Sequence, residues 1–100
     1  MTRRIGRVGW YILMILSKFG ECRFDTIRAF LYWRGITKKS IELFLNRYSG
    51  NLIGKRKDGR LNWYYLTEEG RRVFEEQFMM DEMLKKELQR LEEGKWYDFK

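Results

Sequence analysis

The run Asn51-Leu52-Ile53-Gly54-Lys55-Arg56-Lys57-Asp58-Gly59-Arg60-Leu61-Asn62-Trp63-Tyr64-Tyr65-Leu66-Thr67-Glu68-Glu69-Gly70 changes hydrophobic period in mid-chain, and the fold turns on it. Asn51 to Arg56 and Leu61 to Leu66 are short β-prone runs around Lys57-Asp58-Gly59-Arg60, where Asp-Gly supplies the positive φ angles of a tight hairpin turn. Alternation puts Leu61, Trp63 and Tyr65 on one face of the second strand and Asn62, Tyr64 and Leu66 on the other. Thr67 is then placed to cap a helix, with Glu68 and Glu69 in its first turn complementing the helix dipole.

Working outward, the residues before the hairpin have helical spacing. Trp10, Leu13, Met14 and Ser17 share a face, while Ile12, Ile15 and Leu16 fill the flanks, so a first helix is apolar nearly all round and belongs inside. Gly20 offers a stop. Asp25 is expected to cap a second helix whose inward stripe is Phe24, Ile27, Phe30 and Leu31, ending at Gly35. Thr37 caps a third, Lys38 to Tyr48, with Ile41, Phe44, Leu45 and Tyr48 at i, i+3, i+4 and i+7. Beyond the hairpin, the helix begun at Thr67 is expected to run to Glu93, a span of about 39 Å at 1.5 Å per residue. The predicted fold class is α+β, mostly α. Residues 1–70 form the domain and 71–100 a terminal helix with an aromatic tail, together one structural unit.

Three helices, a hairpin and a further helix is the order of a winged helix-turn-helix domain. The stretch from Asn51-Leu52-Ile53 through the basic hairpin to Tyr65-Leu66-Thr67-Glu68-Glu69-Gly70 resembles winged-helix regulators. In that family an apolar pair closes the recognition helix, an aromatic strand residue packs beneath the wing, and Leu-Thr-x-x-Gly starts the last helix. The match covers about two thirds of the chain as a pattern. Asn51 departs from it, standing where the family often has glycine; asparagine tolerates a left-handed conformation. The plan is similar to small archaeal chromatin proteins, to archaeal viral regulators, and to repressors of the multiple-drug-resistance and phenolic-acid types. The resemblance implies a sequence-specific double-stranded DNA-binding protein, a transcriptional regulator acting as a dimer.

Charge points the same way. The 100 residues sum to +7, but Met1 to Arg60 hold fourteen basic and four acidic residues, while Leu61 to Lys100 hold seven and ten. A basic half suits a polyanion. On the third helix, Lys39, Ser40, Glu42, Leu43, Asn46 and Arg47 lie opposite the apolar stripe. Asn46 and Arg47 are the candidate base readers in a major groove, and Lys38 and Lys39 are placed for phosphate near the helix N-terminus. Leu43 is suited to a thymine methyl and Glu42 to cytosine N4; the two together also suit a protein contact. Lys55, Arg56, Lys57 and Arg60 crowd positive charge onto the wing, where a phosphate backbone or minor groove would relieve their repulsion. Arg3, Arg4 and Arg7 form a basic arm suited to a minor groove.

The terminal helix carries an imperfect heptad seam. Gln77, Met80, Met83, Leu84, Leu88 and Leu91 are its candidate dimer contacts, because a straight helix leaves a small globule and needs another cover. A helix folding back onto the monomer is the competing arrangement.

With no histidine and a single cysteine, Cys22, no common zinc set, catalytic relay or disulfide framework can be assembled within one chain. Neither an enzyme, nor a metal, nor a cofactor is expected, and nothing names a small-molecule effector. Arg3, Arg4 and Arg7 before Val8 to Leu16 imitate a signal peptide, but no small-x-small site follows and the apolar run is too short for a bilayer. The expected location is cytoplasmic. The alternatives to the regulator are a winged-helix protein interaction module and a non-specific, chromatin-type packaging protein.

Overall fold

The computed structural model describes residues 5–78 and 80–93. In chain order these form α1 (Arg7–Phe19), β1 (Cys22–Arg23), α2 (Phe24–Tyr32), α3 (Lys38–Tyr48), β2 (Ile53–Asp58), β3 (Leu61–Leu66), α4 (Glu68–Val73), a π-helical turn (Phe74–Phe78) and α5 (Glu82–Glu92). The protein is α+β and mostly helical, with one antiparallel sheet in the order β1-β3-β2 among the described residues.

Helix α1 is the axle of the core. Residues Tyr11 to Leu16 are each at most 3% exposed, as an all-round apolar helix requires. Ile27 and Leu31 of α2, and Ile41, Phe44, Leu45 and Tyr48 of α3, complete the core together with Leu52, Ile53 and Leu66. Helix α3 has the predicted bounds and inward stripe, with Thr37 at its N-cap. Helix α2 starts two residues earlier than expected: Arg23 is the N-cap, and Asp25 lies in the first turn, where it complements the dipole instead of capping.

Two short devices hold the sheet to the helices. Strand β1 adds a third strand by pairing Cys22 with Tyr64 and Arg23 with Trp63. Thr67 then ties α4 to the segment after α3. Its hydroxyl donates to the Asn51 carbonyl at 2.6 Å and accepts from Gly70 N–H at 3.0 Å, and its own N–H donates to the Leu52 carbonyl at 3.1 Å. The approach is so close that a Cβ on Gly70 would collide with the Leu52 carbonyl oxygen. Positive φ at this corner belongs to Gly50, at 88°, so Asn51 needs no left-handed conformation. In the hairpin, likewise, Asp58 ends β2 and the two-residue loop is Gly59-Arg60, with positive φ at Gly59.

The expectation of one continuous helix from Thr67 to Glu93 is corrected. After α4 the chain makes a π-helical turn that buries Phe74 and Phe78 with stacked rings 4.3 Å apart, then breaks before Asp81. The Asp81 side chain accepts from the N–H groups of Met83 and Leu84 at 2.9 and 3.2 Å and starts α5 afresh. Helix α5 folds back onto α1. Leu91 is buried, and Leu84 and Leu88 pack against the core. Three of the six seam residues are thus covered within the chain, Gln77 is half-buried, and Met80 and Met83 stand exposed at the corner (83% and 78%).

Glu87, which interrupts the apolar seam in sequence, is the polar centre of this docking. Its carboxylate accepts from both terminal nitrogens of Arg34, at 2.9 and 3.0 Å, and from the Tyr11 hydroxyl at 3.1 Å. Arg34 lies between α2 and α3, so the pair fastens α5 to the segment that aims α3. Arg7 is the first residue of α1 and donates from Nε to the Tyr11 hydroxyl at 3.0 Å. It belongs to this network at the start of α1 and not to the basic arm expected at the N-terminus. Arg3 and Arg4 lie outside the described residues.

Candidate nucleic-acid interface

Thr37 sets the exposed N-terminus of α3, because its hydroxyl oxygen accepts from Ser40 N–H at 3.2 Å. The same hydroxyl donates to the Ser40 side chain at 3.0 Å, which holds Ser40 half-buried at the helix start. Lys38 and Lys39 are exposed beside it. Further along, Glu42, Leu43, Asn46 and Arg47 form the outer crest, with Leu43 61% exposed. Phe44 and Tyr48, their rings 4.6 Å apart, anchor the opposite side of the helix in the core.

Asn46 is at the top of this crest, since it lines the depressions on both flanks. One is a groove of about 520 Å³ between α3 and the sheet, walled by Arg23 and Asp25 on one side and Arg60 and Asn62 on the other, with Glu42 along α3. The second, about 560 Å³, lies between α3 and the start of α1 and is bordered by Val8, Leu43 and Arg47. Two carboxylates balance two arginines in the first groove, so it is not a simple phosphate seat. Burial, and then Glu42, raise the Tyr64 hydroxyl above the usual tyrosine pKa there. Arg23 enters the groove lining only because β1 pairs with β3, and a two-residue strand leaves no periodic signal in sequence.

The hairpin charges do not act as one cluster. The register pairs Ile53 with Leu66, Lys55 with Tyr64 and Lys57 with Asn62 on one face. The alternate pairs, Arg56 with Trp63 and Asp58 with Leu61, point the other way. Lys55 and Lys57 therefore share the face of Asn62 and Tyr64, which border the α3 groove, and Arg60 sits in the turn. Arg56 is on the outer face, in a two-pronged ion pair with Glu21 at 2.8 and 2.9 Å. The hydrogen bonds from Arg56 hold the Glu21 carboxyl below the usual glutamate pKa.

Ion pairs engage only some of the cations, and exposed Lys18, Arg28, Arg71 and Lys86, on other elements, form none among the described residues. Arg34, Arg56, Arg72 and Lys85 are matched to carboxylates. Lys38, Lys39, Arg47, Lys55, Lys57 and Arg60 form no ion pair among the described residues, and all six are exposed. Cys22 is buried, and burial raises its thiol pKa, which makes it a poor nucleophile. Among the described residues no cluster of acidic or cysteine side chains is arranged for a metal ion, and no helix is long and apolar enough to cross a membrane. Comparison with protein-family models and with curated proteins gives no match to this chain.

Proposed function

We propose that this is a winged-helix DNA-binding protein acting in the cytoplasm as a transcriptional regulator, with α2 and α3 as its helix-turn-helix and β2–β3 as its wing. The observation that carries the reading is the set of six exposed cations on α3 and the hairpin that form no ion pair among the described residues, Arg47 standing with Asn46 on the helix crest and the other five around it. Unpaired cations at fixed spacing on a projecting helix and loop suit a phosphate backbone, and counterion release drives that association. A single helix fits the major groove, where asparagine and arginine distinguish bases by paired hydrogen bonds. Lys38, Lys39, Lys55, Lys57 and Arg60 are the phosphate contacts, and no catalytic step belongs to this activity.

Homodimerisation through α5 now has less surface to use. Met80 and Met83 are the seam residues left outside the core, so a second copy would pair at that corner. A second reading, a protein interaction module, is favoured by exposed Leu43 at the middle of the crest.

Selection from a random-sequence duplex pool tests the regulator directly. A recovered consensus that changes on Asn46→Ala or Arg47→Ala, at a cost of about 1–3 kcal/mol for the lost contact, is the expected result. Binding without any preferred sequence would replace the regulator with a packaging protein. No binding to duplex DNA, together with a protein partner lost on Leu43→Lys, would replace it with the interaction module.

A further inference from the structure

The outer face of the sheet carries a row of side chains that the DNA contacts above do not use. Because the strand order is β1-β3-β2, Arg23 and Arg56 flank Trp63 as its two cross-strand partners. Their guanidinium carbons lie 5.9 and 5.7 Å from the Trp63 ring centre, within cation–π range. Arg56 also bonds through Nε and Nη2 to both oxygens of Glu21, the residue just before β1. Strands β1 and β2 are not neighbours, so the Arg56 side chain joins the two edges of the sheet across its central strand.

The position of this row gives it a mechanical meaning. Arg23, Trp63 and Arg56 form the last rung of the sheet that has three strands; beyond it, toward the turn, only β2 and β3 pair. Residues Lys55 to Leu61 are all exposed, so no helix among the described residues covers the projecting end. A two-stranded ribbon is marginal by itself in water. A planar guanidinium bound at two nitrogens is held in direction as well as in place, which a lysine would not achieve. Arg56 also lies on the face opposite Lys55 and Lys57, and two of its three nitrogens are engaged with the carboxylate.

We propose that Arg56 is a positioning residue, which straps the wing across Trp63 to Glu21 and fixes the direction in which Lys55, Lys57 and Arg60 meet the phosphate backbone. What the wing meets rests on the DNA reading; the strap is a property of the free chain.

Two measurements on the full chain test it: amide exchange across β2 and β3 without DNA, and the salt dependence of binding to random duplex DNA. Arg56→Gln and Glu21→Gln should each speed exchange of the wing amides. They should also weaken DNA binding by the same factor at every salt concentration, roughly two- to fivefold for a surface pair. Lys57→Gln should instead lower the salt slope by about 0.9, as a lost phosphate contact does. The charge swap Glu21→Arg with Arg56→Glu should recover both protection and affinity. A slope loss of about 0.9 in Arg56→Gln, with tighter binding by Glu21→Gln, would make Arg56 a phosphate contact and overturn the strap. Unchanged amide exchange in both single variants would overturn it too. Absence of any duplex binding by the wild type would remove the DNA reading alone, leaving the exchange rates to decide the strap.

Discussion

Replacing Glu87 by alanine should remove the polar centre that docks α5. The side chains of Arg34 and Glu87 are only 7% and 17% exposed, and they meet through two bonds of 2.9 and 3.0 Å, with the Tyr11 hydroxyl donating a third at 3.1 Å. Removing one member of a buried ion pair typically costs about 3–5 kcal/mol, because the other charge keeps its desolvation and loses its partner. The partial exposure of Glu87 places the expected loss at the lower end, about 3 kcal/mol. The Tyr11 hydroxyl loses its acceptor in the same step, and the two losses overlap instead of adding. Against a total stability of about 5–15 kcal/mol this is a large fraction, and it corresponds to a fall in Tm of roughly 12–24 °C for a domain of this size.

Urea unfolding followed by circular dichroism and tryptophan fluorescence measures this loss. The control is the paired replacement Arg34→Met with Glu87→Leu, which keeps the volume and removes both charges. It should fall much closer to the wild type, since buried pairs often exchange for apolar residues at little cost. A Glu87→Ala variant within about 0.5 kcal/mol of the wild type would be behaving as a surface substitution, and would refute the folded-back α5.

Other consequences concern the two ends of the hairpin. Gly70→Ala should destabilise by about 3 kcal/mol, because its Cβ meets the Leu52 carbonyl, backbone that cannot turn aside; a denaturant midpoint matching the wild type would contradict that packing. The lowered pKa of Glu21 means that the folded state binds its proton less readily than the unfolded chain. Its contribution is therefore complete above the unfolded glutamate pKa and is lost as pH falls through the lower folded value. Carboxyl titration by NMR should show Glu21 ionised below the usual glutamate range, moving back to that range in Arg56→Gln; an ordinary value in the wild type would dissolve the pair.

The parts of the fold legible in sequence are those written in local signals. Helix α3 shows its bounds through the Thr37 cap and the spacing of Ile41, Phe44, Leu45 and Tyr48, and the hairpin shows itself through Gly59 between two β-prone runs. What escaped depends on contacts distant in sequence. Strand β1 is two residues long and exists only against β3. The break before α5 has a local mark, Asp81 followed by Glu82, but the continuous apolar seam masks it; choosing between a partner copy and the chain's own α1 needs the place of Glu87 beside Arg34. For the candidate site, the crest of α3 follows from helical geometry alone. In the hairpin, four nearby charges look like one cluster until the register sends Arg56 to the face opposite Lys55 and Lys57.

The most direct test of the central claim is the affinity for random duplex DNA between about 50 and 200 mM salt. If Lys38, Lys39, Lys55, Lys57 and Arg60 all meet phosphates, log K falls against log salt with a slope of about −4.5, and affinity drops about 500-fold over that range. A slope near zero, or no binding at the lowest salt, would contradict the account.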